Sequence, residues 1–446
     1  MMVLNKNEFW SILNKVTGIV ANAMILMIIA RFLPTKDVAI YFLFTAIFGV
    51  IGIVEGGFMQ TISRHITYIL NKKDTHVNLD PNFFIHVNNR LFKIIVTLIT
   101  TATLIGGTTY LYFHDTIKLS FYDYLAWIIF ITNSVIMLFA NLHSSIIIGF
   151  QNVAATQKYQ LLSALFNLLS VSVFLFLLDQ NSLLGFVSGN FFARCLLLFL
   201  NYKKSRTYYT STKQNYTDET FARNLVLSDM KKMLLNMLSY RLLTSVFYII
   251  LTGYVSVELL ASFGLTVQIV TYIIGVTTIF LSSNIPYFAS LFSKNEITIL
   301  NKIFLKKSVV SLLFYILGIL SFIIAFDKIQ VVFNLRTSIL PNIYIASFLV
   351  FTTIEYTISL IAIYLIVCNE LRLMSISLIS SIIILIATLI SLSSSGDLNL
   401  TFYARAIIAL IFLYIPAIYF IKQIQKNHTF SGLSFSSKAL LNLDKE

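Results

Sequence analysis

Charge is scarce in this chain. Only 11% of its 446 residues are Asp, Glu, Lys or Arg, against about 25% in an ordinary soluble domain. Hydrophobic residues make up 57%. So few polar residues do not cover the apolar surface of a water-soluble fold of this length, so lipid is the solvent for much of the exterior. Cysteine is nearly absent. Cys195 and Cys368 both fall in apolar runs and read as small packing residues rather than a disulfide or a metal site. There is no Walker loop, no metal-spaced Cys/His set and no nucleophile elbow, so neither ATP hydrolysis nor any other enzyme activity is expected, and no cofactor. The first apolar run lacks a small-residue cleavage site, so it is expected to stay as a helix rather than leave as a signal peptide.

What the chain does have is a series of apolar runs. A helix needs roughly 20 mostly apolar residues to span a bilayer. By that measure spans fall at 9–31, 38–62, 91–113, 120–149, 157–178, 182–202, 233–254, 259–289, 303–325, 342–367, 371–393 and 399–421. The net charge of +13 tests this map. With the N-terminus inside, cytoplasmic segments hold 24 of the 32 Lys and Arg. The outer loops hold Arg31, Lys36, Lys118, Lys328 and Arg336, and Arg194, Arg241 and Arg405 lie within spans. That alternation predicts about 12 spans with both ends cytoplasmic.

The longest polar stretch, 203–232, carries Lys203, Lys204, Arg206, Lys213, Arg223, Lys231 and Lys232. It reads as a linker attracted to anionic inner-leaflet lipids rather than a nucleic-acid site. It divides the chain into an N-terminal six-helix bundle (1–202), a C-terminal one (233–425) and a cytoplasmic tail (426–446). The mixed segment Pro81–Phe92 suits the membrane interface. Pro286 and Pro416 are candidate kinks, and Gly56-Gly57 a candidate loose end of span two.

The halves echo one another. Phe191-Phe192-Ala193-Arg194 in span six is matched by Phe402-Tyr403-Ala404-Arg405 in span twelve. A weaker echo aligns Asn14 with Asn236, Ala39 with Ala261, Tyr41 with Phe263 and Leu43 with Leu265. The repeated arginine carries more weight, because such residues are rare in spans. Equivalent spans six apart run in the same direction. The fold expected is all-α, with two six-helix bundles related by a pseudo-two-fold axis along the membrane normal and facing each other across a cleft.

Residues around span two carry a family resemblance. Arg31-Phe32-Leu33-Pro34 precedes Lys36-Asp37 and Tyr41, and Glu55-Gly56-Gly57-Phe58-Met59-Gln60-Thr61-Ile62-Ser63-Arg64 closes the span. This resembles the polysaccharide-transporter branch of the multidrug/oligosaccharidyl-lipid/polysaccharide (MOP) exporter superfamily. In that branch an Arg-x-Leu-Gly-Pro-like turn joins spans one and two, and an Asp-x-Gly segment with a following Arg ends span two. This chain departs in lacking the turn glycine and in having Glu55 for Asp. Size and low charge resemble the O-antigen or capsule repeat-unit flippases (Wzx-type). The resemblance implies transport of an undecaprenyl-pyrophosphate-linked oligosaccharide to the periplasmic leaflet. It also implies contact with membrane lipids and with other polysaccharide-assembly membrane proteins.

Moving such a headgroup through hydrocarbon requires polar and cationic groups to replace its water. Arginine suits phosphate oxygens by its planar fork. The candidate substrate-binding residues are Arg194, Arg241 and Arg405, with Lys15 and Asn22 on one face of span one and Tyr240, Thr244 and Tyr248 on one face of span seven. Each has an alternative reading as structural ion pair or polar packing. Lys15 and Glu55, at similar depth, suit a mutual salt bridge as well as substrate contact. Arg64, at the cytoplasmic helix end, suits a lipid-phosphate anchor. Glu355 is a candidate ion-coupling site, or a carboxyl held neutral or paired with an arginine. His143 is a candidate proton relay, or a satisfied packing residue. Transport would draw on an ion gradient or on removal of product. Two rivals stand beside the flippase. A drug exporter of the same superfamily would want cleft carboxylates, and a membrane-embedded polymerase would want a larger outer loop.

Overall fold

The structure, a computed structural model, describes residues 6–49, 52–70, 80–114, 117–208, 219–282, 284–294, 296–368 and 372–424. Among them all regular structure is helical, and ten helices are long and apolar enough to cross a membrane. The protein is an all-α integral membrane protein. The two expected spans outside that ten are 38–62 and 233–254, and both are broken. Span two is α2 (Thr35–Gly49) followed by α3 (Gly52–Leu70). Span seven is the end of α8 (Glu219–Arg241), a π turn at Leu242–Val246, and α9 (Phe247–Leu251).

The other first-half spans are α1 (Lys6–Phe32), α4 (Pro81–Phe113), α5 (Phe121–Gly149), α6 (Val153–Leu177) and α7 (Ser182–Ser205). The segment assigned to the interface, Pro81–Phe92, is the first third of α4, because Asp80 caps it through the Asn82 amide and Pro81 suits a first-turn position. After span seven come α10 (Val257–Ser282), α11 (Ile285–Ser293), α12 (Ile297–Phe333), α13 (Asn342–Val367), α14 (Arg372–Ser395) and α15 (Leu398–Ala409). Pro286 in the first turn of α11 marks the break in the eighth span. Pro416 cannot donate to the carbonyl one turn back, and the helix widens into a π turn at Leu410–Tyr414 just before it.

By contact the chain forms two compact units. One is Met1–Leu265 with Val331–Ile339, the other Thr266–Gln330 with Leu340–Glu446. The division falls within α10 rather than in the 203–232 linker, of which 209–218 lie outside the described residues, as do 425–446. Helix α8 packs on α3 and α4, in a core that joins Phe58, Ile62, Phe84 and Phe92 to Val226 and Met230.

Within the first unit, α6 and α7 approach through Gly185 and Gly189, one turn apart. A Cβ on Gly189 would come within 2.5 Å of the Val171 Cα, and one on Gly185 within 2.8 Å of the Phe174 carbonyl. Ser170 Oγ donates across this contact to the Gly189 carbonyl at 2.9 Å, and Ser163 Oγ to that of Ala193 at 3.0 Å. Lipid tails are as apolar as leucine, so close backbone approach and such hydrogen bonds hold helices together in place of a hydrophobic drive. The second unit is tied in the same way. Tyr356 OH bonds Thr277 Oγ1 at 2.8 Å and Ser311 Oγ at 2.6 Å, linking α10, α12 and α13. Tyr315 stacks on Tyr356 at 4.5 Å and bonds Thr352.

Pro34 shapes the end of α1. In a continuing helix the amide of residue 34 would bond the Ala30 carbonyl, but proline has no N–H. The backbone amides of Arg336 and Thr337 reach that carbonyl instead, at 2.8 and 3.2 Å. Here the segment between α12 and α13 is stitched to the first unit.

Candidate functional site

The two broken spans meet at their breaks. Gly49 ends α2 and Gly52 begins α3. A Cβ on Gly49 would overlap Ser245 Oγ in the π turn, and one on Gly52 would lie 2.6 Å from Arg241 Nη2 and 3.2 Å from Cζ. The half-buried Arg241 guanidinium therefore lies where two glycines leave room. Its Nε is buried without a hydrogen-bond partner, and among the described residues no carboxylate pairs with it. The flanking Tyr240 ring, 52% exposed, lies 5.6 Å from the guanidinium carbon. A π turn in a span loosens the hydrogen-bond ladder and recurs at functional sites, and broken spans are where transporters assemble polar binding groups.

Tyr240, Arg241, Thr244 and Tyr248 share a face only if the α-helix is continuous. The π turn adds a residue between Arg241 and Tyr248, which rotates the helix beyond it by about 100°. Tyr248 is accordingly 6% exposed, with its hydroxyl donating to the carbonyls of Leu260 and Ala39 at 3.1 and 3.4 Å. It is packing, not an open polar face. Thr244 Oγ1 donates back to the Tyr240 carbonyl.

Arg194 on α7 lines a separate pocket of about 180 Å³ with Tyr41, Thr45, Asn133, Ser134 and Asn190. Its Nη1 reaches the Met137 sulfur at 3.1 Å. Tyr41, Thr45 and Phe48 recur at helical spacing along α2, and Gly49 continues the row one turn beyond Thr45. Arg241, which packs at Gly49 and Gly52, is not among the residues lining the Arg194 pocket. Thr45, Ser134 and Asn190 were not anticipated, although polar residues one turn apart in an apolar helix are a readable signal.

On α1, Lys15 and Asn22 are exposed and a Cβ on Gly18 would meet nothing within 4 Å. The adjacent face is covered, where Asn14 Nδ2 donates to Gln157 and Gln160 Oε1 at 2.6 and 2.9 Å. The side chain of Glu55 lies outside the described residues, so its pairing with Lys15 does too. Arg64 is exposed in the second half of α3.

In the second unit Arg405 is 2% exposed, its guanidinium carbon 4.4 Å from the centre of the Phe351 ring. Glu355, one turn beyond Phe351 on α13, interacts with it electrostatically. The Phe351 ring covers the guanidinium, and half-buried Glu355 lies within its electrostatic reach. His143 is 8% exposed, shares a hydrogen bond with Ser205 Oγ at 2.9 Å and meets the Tyr202 ring edge-on. Described acids gather at helix ends instead: Asp123 completes a capping box with Ser120 and pairs with Lys36 at 3.7 Å, and Asp397 caps α15.

No protein-family model matches this chain, and no curated protein matches it by sequence. Solved structures do match in fold. A multidrug resistance MATE family transporter of the MOP superfamily, in an inward-facing conformation, aligns at TM-score 0.70 and 12% identity over 92% of this chain and 96% of that one. The fold is that of the MOP-superfamily transporters. The lipid II flippase MurJ in its inward closed conformation aligns at TM-score 0.63 and 10% identity, over 95% and 90% of the two chains. The MATE multidrug transporter DinF-BH, solved as a complex, aligns at 0.66 and 16%, over 95% and 96%. MOP-fold proteins of both kinds, drug exporter and lipid flippase, are thus similar to this chain at comparable levels.

Proposed function

We propose that this protein is a flippase that carries a lipid-linked, phosphate-bearing oligosaccharide across a bacterial inner membrane, of the undecaprenyl-pyrophosphate-linked repeat-unit class. The supporting observation is Arg241: a guanidinium inside a span, at the crossing of two broken helices, with a buried donor still to be satisfied. A cation in a span is costly unless it faces a partner or water. A phosphate supplies acceptor oxygens on the geometry that the guanidinium fork fits. Arg194 with its amide and hydroxyl neighbours, and the uncovered Lys15–Asn22 face, add further polar surface along the first unit. Hydroxyl and amide groups there replace water around sugars while the prenyl tail stays in lipid.

The experiment is replacement of Arg241 and Arg194 by Ala and by Lys in the native host, scoring surface polysaccharide against membrane protein level. Loss of polysaccharide at normal abundance, with partial rescue by Lys at Arg241, is expected. Normal polysaccharide from the double Ala variant at normal abundance overturns the reading.

The MATE likeness supports a second reading, export of cationic small molecules. Such a cargo favours carboxylates. Among the described carboxylates of the spanning helices, Asp123, Asp179 and Glu258 stand at helix starts and Glu355 lies within electrostatic reach of Arg405, so the flippase reading fits the interior arginines better. Efflux of a cationic dye that survives Arg241→Ala would favour the exporter.

A further inference from the structure

A pocket of about 560 Å³ opens at the other end of the first unit, on the side that the Lys/Arg distribution assigns to the outside. Three turns build it. The α1–α2 turn gives Phe32 and Asp37. The α6–α7 turn, a 3₁₀ segment at Asp179–Asn181, gives Asp179, Gln180 and Ser182. The stitched segment between α12 and α13 gives Arg336. The wall is fixed. Ser182 Oγ donates to Asp37 Oδ2 at 2.8 Å, Arg336 Nη1 lies 3.5 Å from the Phe32 carbonyl, and the Arg336 amide is held on Ala30. Phe32 and Phe176 stand exposed at its rim, Phe176 at 84%.

The charge here is mixed, unlike that at Arg241. Two carboxylates and one guanidinium line the pocket, with Lys36 beside Asp37 and Arg31 over the Phe32 ring, so it offers acceptors as well as donors. Planar carboxylate, amide and guanidinium groups hydrogen-bond in pairs, as adjacent sugar hydroxyls require. Exposed aromatic rings offer flat apolar faces to the C–H side of a sugar ring. The volume is that of a small-ligand pocket.

We propose that this outer pocket binds the glycan portion of the cargo, as uncharged or amino sugars, apart from its phosphate. This rests on the flippase reading and names a second subsite for the same substrate: phosphate on the interior arginines, sugar on Asp37, Asp179, Gln180 and Arg336.

The test uses the full-length protein in phosphatidylglycerol nanodiscs, applied to an array of soluble bacterial surface oligosaccharides. Retention on neutral or amino-sugar glycans is expected. The double variant Asp179→Ala/Gln180→Ala, at two exposed positions, is checked for normal protein level and is expected to lower retention at least about tenfold, the effect of losing one or two good hydrogen bonds. Phe192→Leu, an exposed position outside both sites, is expected to leave it unchanged. Wild-type retention no greater than that of empty nanodiscs overturns the proposal, as does undiminished retention by the double variant. Native mass spectrometry supplies the competing outcome. Phosphatidylethanolamine that co-purifies with wild type and is lost from the double variant, with no glycan retained, would make this a lipid-headgroup site. The two readings fail separately. Glycan retention with normal polysaccharide from the Arg241→Ala/Arg194→Ala double variant at normal abundance removes the flippase reading alone, and the converse pattern removes the pocket alone.

Discussion

Arg241 Nη2 occupies the space that a side chain on Gly52 would need. The glycine is therefore a condition for the arginine's position, and the two can be separated experimentally. Gly52→Ala puts a Cβ against the flexible end of a guanidinium rather than against backbone, so the arginine yields and the fold does not. We expect near-normal protein level with surface polysaccharide reduced roughly tenfold or more, since a hydrogen bond to a charged group contributes about 1.5–3 kcal/mol. Unchanged polysaccharide in Gly52→Ala would show that Arg241 tolerates displacement.

Gly189 is the opposite case. Its Cβ would meet Val171 backbone, which cannot give way without parting α6 from α7. Gly189→Leu should destabilise by about 1–3 kcal/mol or more, read as a lower melting temperature in detergent. The exposed Phe192→Leu on the same helix should change little.

Arg405 and Glu355 should behave as one unit. Arg405→Ala leaves a carboxylate in an apolar interior and is expected to cost about 3–5 kcal/mol. Glu355→Gln should cost less, and Arg405→Met with Glu355→Leu should recover most of the stability. A thermal-shift double-mutant cycle measures the coupling, and strict additivity would deny that the two interact.

His143 shares its hydrogen bond with Ser205 in a buried setting. His143→Gln is expected to lower stability by about 1 kcal/mol and to leave the pH profile of transport where it was. A shifted profile at normal protein level would restore the proton-relay reading.

Much of the architecture could be read from hydropathy, because a span is a long apolar run and charge alternation checks the count. The breaks could not. Gly49 and Gly52 resemble any membrane glycines, and no residue between Leu242 and Val246 announces a π turn, so Arg241 and Tyr248 looked co-facial when they are not. The rarity of arginine in spans marked Arg194, Arg241 and Arg405 as noteworthy without separating their settings. Arg405 lies within electrostatic reach of Glu355, fifty residues away, and only the packing of α13 on α15 reveals that. The outer pocket draws on three distant turns. Its members Asp179, Gln180 and Arg336 are ordinary loop residues when read along the chain.

Because Ala30 is served by amides from outside its own helix, the Pro34 end of α1 has a fixed azimuth. A screw displacement of one residue would swing that carbonyl by about 100° and strand both donors. Tilting about the same point would leave them engaged. An imino acid thus gives the first span a pivot: it can lean, but it cannot spin.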